Sequence, residues 1–146
     1  MTTLFGDTAT IRSTGISAKS KADAASPSYQ AFQILRLGFT AAPILAGADK
    51  FLGLLVNWDQ YLPPVVNNML GGRGHEFMYA VGVIEIAAGI GVFLKPKIFA
   101  YVVAAWLAFI IVNLLMIPGF FDVALRDFGL LLGAVALGRL SKTYGN

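Results

Sequence analysis

Four long apolar stretches occupy most of this 146-residue sequence, at about residues 31–56, 77–94, 98–117 and 121–140. Each is close to the roughly 20 residues with which an α-helix crosses the hydrocarbon core of a bilayer. Of all residues, 57% are hydrophobic and 13% are charged, whereas about a quarter are charged in an ordinary soluble domain. The sequence therefore predicts an all-α membrane protein, a bundle of four transmembrane helices over residues 29–142, with no length left for a separate catalytic domain.

Basic residues follow the topology of these spans and do not form a patch for nucleic acid. They precede the first span, flank Pro96 between the second and third, and follow the fourth at Arg139 and Lys142. Because Lys and Arg concentrate in cytoplasmic loops, we expect both termini on the cytoplasmic side of the membrane. The pI near 9.3 is therefore explained by membrane topology, and no nucleic-acid partner is expected.

Two segments outside the spans have a predicted role. Residues 1–28 form a polar tail rich in Thr, Ser and Ala, which should be flexible alone and which a partner subunit could order. In the first loop, residues 63–70 begin with two prolines and are followed by Gly71 and Gly72, a pattern typical of a short helix. We expect this to be an interfacial helix that caps the outer mouth of the bundle.

Five charged residues lie inside the apolar stretches, where an unpartnered charge costs at least about 2.5–3.5 kcal/mol. A rise of about 1.5 Å per residue places Glu85 near the middle of its span and the others within about 8 Å of the outer ends. We therefore expect a polar layer in the outer half of the bundle, with Glu85 beneath it. The members of the layer are Asp49, Lys50, Asn113, Arg126 and Asp127.

The pairing within this group is open. Asp49 with Arg126 and Lys50 with Asp127 are compatible with the depths, and Glu85 is then the carboxyl group left protonated or bonded to water. The layer has three interpretations: a structural clasp, a pocket that binds a quinone headgroup or a small polar ligand, and a proton relay through Glu85.

Two residues near the outer interface are weaker candidates. Arg73 follows two glycines in a turn from which its side chain can reach lipid headgroups, and neither the strand nor the Lys-Ser/Thr of a phosphate-binding loop accompanies it. His75 could donate a hydrogen bond to a quinone carbonyl, although a lone interfacial histidine is more often simply solvated. With no cysteine and one histidine, no catalytic set, disulfide or metal site can be assembled.

Several short segments resemble the DoxX family of small bacterial membrane proteins. They are residues 35–38 (LRLG) and 46–51 (AGADKF) in the first span, 82–85 (GVIE) with Gly89 and Gly91 in the second, and 127–133 (DFGLLLG) in the fourth. The resemblance covers about residues 31–140. It implies a four-helix bundle in the bacterial inner membrane with cytoplasmic termini, and among the polar positions it carries over Asp49, Lys50 and Glu85 as candidates.

The same resemblance implies a place in membrane redox chemistry. Some DoxX-like proteins are linked to thiosulfate:quinone oxidoreduction and others to oxidative-stress complexes. We therefore expect a small accessory subunit of a respiratory or other redox complex, not catalytic on its own, with quinone as the candidate cofactor and with lipids and other membrane subunits as partners. The alternatives are the membrane subunit of a thiosulfate:quinone oxidoreductase-type enzyme and a small-solute or proton carrier.

Overall fold

The computed structural model describes residues 24–145, which contain helices and turns and no strand. Most of the predicted tail, residues 1–28, lies outside the described residues. The helices are α1 (Pro27–Leu52), a single 3-10 helix (Trp58–Tyr61), α2 (Pro64–Met69), α3 (Gly74–Leu94), α4 (Pro96–Leu115) and α5 (Phe121–Tyr144).

The four long helices form an antiparallel bundle in which α1 packs on α3 and α5, and α4 packs on the same two neighbours. The two most extensive interfaces are α1 with α3 and α4 with α5. Helix α1 begins where α5 ends, since the Ser28 hydroxyl lies 2.8 Å from the Tyr144 hydroxyl. We call this the terminal end of the bundle, and the opposite end, where α1 stops and α3 starts, the mouth.

Within residues 24–145, three helices are long and apolar enough to cross a membrane: α1, α3 and α4. By length and composition they indicate a multi-pass membrane protein. Helix α5 has 24 residues but falls outside this set. It carries five charged residues: Asp122, Arg126, Asp127, Arg139 and Lys142.

Helix α1 starts and ends about one turn earlier than the sequence predicts. The Ser26 hydroxyl accepts a hydrogen bond from the backbone N–H of Tyr29, and Pro27 occupies the first helical position, so the helix begins before residue 31. It ends at Leu52 because Gly53 adopts a left-handed backbone conformation, with φ of 62°. The predicted end at residue 56 was wrong because the apolar stretch continues beyond the last residue of the helix.

The close approach of α1 and α3 depends on two facing glycines. A methyl group on Gly82 would lie 2.7 Å from the carbonyl oxygen of Gly47, and one on Gly47 would lie 2.5 Å from the carbonyl oxygen of Gly82. The two backbones are therefore in direct contact. Because lipid tails are as apolar as the side chains, such close packing is a main source of helix association in a bilayer.

The apolar core lies toward the terminal end. Phe32, Val92, Ala100 and Leu137 are each at most 1% exposed, and together they bring one residue from each long helix into a single cluster. The polar residues that the sequence singles out lie toward the other end of the bundle.

Candidate functional site

A buried ion pair joins α1 to α3 near the mouth. The Lys50 ammonium lies 2.6 Å from Oε2 of Glu85, and the two side chains are 4% and 10% exposed. Side chains on a helix lean toward its N-terminus. In this antiparallel pair Lys50 therefore leans away from the mouth while Glu85 leans toward it, and the two meet between their backbone levels.

This pairing corrects the sequence-based assignments. Counting backbone depth left Glu85 alone beneath the polar layer, whereas the structure makes it the partner of Lys50. Within the described residues, neither Asp49 with Arg126 nor Lys50 with Asp127 forms an ion pair. The count ignored side-chain direction, which brings the two charged groups toward each other.

Trp58 connects the ion pair to Asp49. The Lys50 ammonium lies 3.6 Å from the centroid of the Trp58 ring, within the range of a cation–π contact. The indole Nε1–H donates a hydrogen bond of 2.8 Å to Oδ2 of Asp49. Trp58 was not among the predicted site residues, and the sequence marks it only as an aromatic residue a few positions beyond the helix-ending Gly53.

Asp49 stabilises the turn that follows α1. Its carboxylate accepts the backbone N–H groups of Leu54 at 2.9 Å and Leu55 at 3.0 Å, and its carbonyl oxygen accepts that of Gly53. The left-handed Gly53 reverses the chain so that these amides face back toward the helix. Asp49, which is 4% exposed, therefore acts as an internal acceptor for three amides and the indole.

The 3-10 helix covers the mouth and is bound to three long helices. Trp58 binds α1 through Asp49, the Asp59 carboxylate lies 2.9 Å from Nδ1 of His75 on α3, and the Asn113 amide on α4 donates a hydrogen bond of 2.7 Å to the carbonyl of Tyr61. The short helix expected at residues 63–70 does form, as α2, but these contacts give the capping position to the 3-10 helix.

The remaining predicted residues do not join the ion pair. Arg126 is exposed and pairs at 3.3 Å with Asp122 one turn away on its own helix, and Asp127 is half-buried on α5. Arg73 is exposed in the turn before α3. Both ring nitrogens of His75 are engaged, Nδ1 with Asp59 and Nε2 with the Tyr79 hydroxyl at 2.8 Å.

A cavity of about 260 Å³ opens between the 3-10 helix and the ends of α1 and α3. The buried Lys50 lies on its wall, and the exposed Asp59 and His75 lie there too. The rest of the lining consists of Gly53, Val56, Asn57, Trp58 and Met78. The cavity therefore connects solvent-accessible groups to the buried ion pair.

Comparison with models of protein families, with curated proteins and with solved structures finds no match for this chain. Among residues 24–145, no group of three or more His, Cys, Asp or Glu side chains is arranged to hold a metal ion. The geometry of the mouth is therefore the basis of the functional proposal.

Proposed function

We propose that this chain is a DoxX-like subunit of a membrane redox complex and that the cavity at its mouth binds the headgroup of a quinone. The observation that carries the proposal is a buried ammonium group on the wall of a solvent-connected cavity. Lys50 has three N–H donors and uses one on Glu85. A carbonyl oxygen of a bound ring is a suitable acceptor for another.

The size of the cavity suits a single ring. Drug-sized ligands occupy pockets of roughly 300–1,000 Å³, and this cavity, at about 260 Å³, lies just below that range. A headgroup fits inside, while its isoprenoid tail has to remain in the bilayer. Met78 and Val56 supply apolar wall, and the side-chain amide of Asn57 is a second donor for the carbonyl on the far side of the ring.

The residues behind the DoxX resemblance support the same site. Segments 46–51 and 82–85 supply Lys50 and Glu85 and also the facing Gly47 and Gly82. Residues that are separate in the sequence thus belong to one interface. The sequence has no cysteine, so in this proposal the electron donor to the quinone belongs to another subunit.

The distribution of charge supports an orientation. Lys95 lies between α3 and α4, and Lys97 lies in the first turn of α4. Arg139 and Lys142 lie near the end of α5, so all four are at the terminal end. In the proposed topology α5 is a fourth span, the terminal end faces the cytoplasm of a bacterial cell, and the mouth faces the other side of the inner membrane. Helix α2 then lies at the outer interface.

A purely structural role is the second candidate, because the same contacts form a complete clasp. Lys50, Glu85, Asp49 and Trp58 satisfy one another and hold α1, α3 and the 3-10 helix together without any ligand. The two candidates differ in one respect: a clasp needs no cavity beside the ammonium group.

Binding can be measured by tryptophan fluorescence, since the chain has two tryptophans in different cavities. A Trp106→Phe variant leaves Trp58 as the reporter, and decylubiquinone is added to the purified protein in micelles. We expect saturable quenching. The matched control is Trp58→Phe, in which Trp106 reports only quinone dissolved in the micelle and should show unsaturable quenching. Equal, unsaturable quenching of both tryptophans would contradict quinone binding at the mouth.

Membership of a complex is tested by gentle extraction. The tagged chain, extracted from its native membrane with digitonin, should migrate in native electrophoresis well above the position of the 15.6 kDa monomer in a detergent micelle. A harsher detergent provides the reference position of the dissociated chain. If the two extracts migrate together, the chain has no stable partner and the subunit proposal is wrong.

A further inference from the structure

The segment that follows α1 remains apolar although it is not helical. Leu54 and Leu55 are 80% and 74% exposed, which makes them among the most exposed large apolar side chains of the described chain. They continue the exposed apolar surface of α1, where Leu45 and Leu52 are each 65% exposed. On a water-facing loop such a pair would be costly to hydrate.

Three backbone N–H groups of the segment have acceptors within the protein. The N–H groups of Gly53, Leu54 and Leu55 all donate to Asp49, the first to its carbonyl and the other two to its carboxylate. In water these amides would need no such acceptor. In hydrocarbon, non-helical backbone is tolerated only where it is buried in protein or lines a water-filled cavity, and Gly53 and Val56 of this segment line the mouth cavity.

The packing of α1 on α3 gives the level of the segment. Gly47 faces Gly82, and one turn nearer the mouth Phe51 stacks on Tyr79 with ring centroids 5.1 Å apart. Gly53 and Val56 line the mouth cavity together with His75 of the first turn of α3, so the segment 53–56 lies at the level of that turn. The 21 residues of α3 span about 31 Å, close to the roughly 30 Å of a hydrocarbon core, so the segment lies at the edge of that core.

We propose that residues 53–56 form a lipid anchor, in which Leu54 and Leu55 insert among the acyl chains of the bilayer. Gly53 and Val56 of the same segment line the mouth cavity, so the anchor has lipid on one side and the cavity on the other. Asp49 makes the arrangement feasible by accepting the amides that lipid cannot satisfy. This inference is independent of whether the cavity binds a quinone.

Because the natural sequence has no cysteine, single cysteines can be introduced without a background. Leu54→Cys and Leu55→Cys variants of the full chain are spin-labelled and reconstituted into phosphatidylcholine–phosphatidylglycerol vesicles. Collision of the label with oxygen, which concentrates in hydrocarbon, is compared with collision with a water-soluble nickel chelate. The matched control is Gln60→Cys, an exposed position on the 3-10 helix.

We expect labels at positions 54 and 55 to collide strongly with oxygen and weakly with nickel, and the label at position 60 to show the reverse. Strong nickel collision at 54 and 55 would place the segment in water and overturn the proposal. Weak collision with both reagents would show that protein, such as a second copy, covers the leucines, and would equally overturn it. Both side chains are exposed, so either variant alone suffices if the other misfolds.

Discussion

The two ends of this bundle are held together by different physical means. At the terminal end Phe32 packs against Tyr144, with ring centroids 5.9 Å apart, and Leu137 is fully buried. At the mouth the contacts are an ion pair, a cation–π contact and hydrogen bonds to Asp49. Apolar packing in lipid depends on shape alone, since the alternative surroundings are also apolar. The polar contacts are directional, so a single wrong partner at the mouth leaves a charge without compensation.

The largest effect is expected when one member of the ion pair is removed. Lys50→Met or Glu85→Leu leaves the other group buried and unpaired, which costs about 3–5 kcal/mol in known buried pairs. The measurement is the free energy of unfolding in mixed dodecylmaltoside and SDS micelles, followed by circular dichroism.

The double variant Lys50→Met/Glu85→Leu is the control for this prediction. It removes both charges and keeps similar volume, so most of the lost stability should return. If the cost of the double variant is the sum of the two single costs, the groups do not interact and the ion pair is not a determinant of the mouth.

At the terminal end Phe32→Ala should cost less. Phe-to-Ala changes in water-soluble cores cost about 3–5 kcal/mol, of which part is the transfer of the side chain from water. That part is absent when the unfolded helices remain in the micelle, so we expect about 2–3 kcal/mol in the same measurement. Phe32→Leu, which leaves a smaller void, is the control. A loss from Phe32→Ala larger than that from Lys50→Met would reverse the comparison between the two ends.

The long helices could be predicted from the sequence more completely than the contacts at the mouth. The apolar stretches predicted the four long helices, because length and hydrophobicity are local properties. The predicted end of α1 was wrong. Residues 53–56 are as apolar as the helix, and only the left-handed conformation of Gly53 marks where the helix stops. The prolines and glycines around residues 63–70 predicted a short helix, which forms as α2, whereas its position at the membrane interface stays a prediction.

The site was harder to predict than the helices. The sequence supplied Asp49, Lys50 and Glu85 as buried charges, but pairing depends on helix register and side-chain direction, which the Gly47–Gly82 contact sets. The 3-10 helix that holds Trp58 over Lys50 was not predicted at all. Its local signal is a single N-cap, Asn57, whose side chain accepts the backbone N–H of Asp59. Its position over Lys50 depends on bonds to other helices, which the sequence does not reveal.

A smaller effect is expected at the glycine contact, because it sets the register of the mouth without carrying charge. Gly82→Ala places a methyl group 2.7 Å from the Gly47 carbonyl oxygen, so the backbones have to separate. Overpacking of this kind costs about 1–3 kcal/mol. Gly38→Ala, on an exposed face of α1, is the control, because no atom lies within 4 Å of its added methyl group. Equal stabilities of the two variants would show that the close contact is not required.

The smallest effect concerns the exposed charges of α5. Arg126 pairs with Asp122 at the surface, and exposed pairs contribute at most about 1 kcal/mol. We expect Arg126→Gln to change the free energy of unfolding by less than about 0.5 kcal/mol. A loss comparable to that of Lys50→Met would mean that Arg126 belongs to the buried polar group after all.

The most direct test of the proposed site is quinone binding to the Lys50→Met/Glu85→Leu variant in the Trp106→Phe background, with Trp58 fluorescence as the signal. If the mouth is a ligand site, this variant should remain folded, with an unchanged circular dichroism spectrum, and lose the saturable quenching by decylubiquinone. A folded variant that is quenched with the same saturation as the parent would contradict the account, because the ammonium group would then have no part in binding.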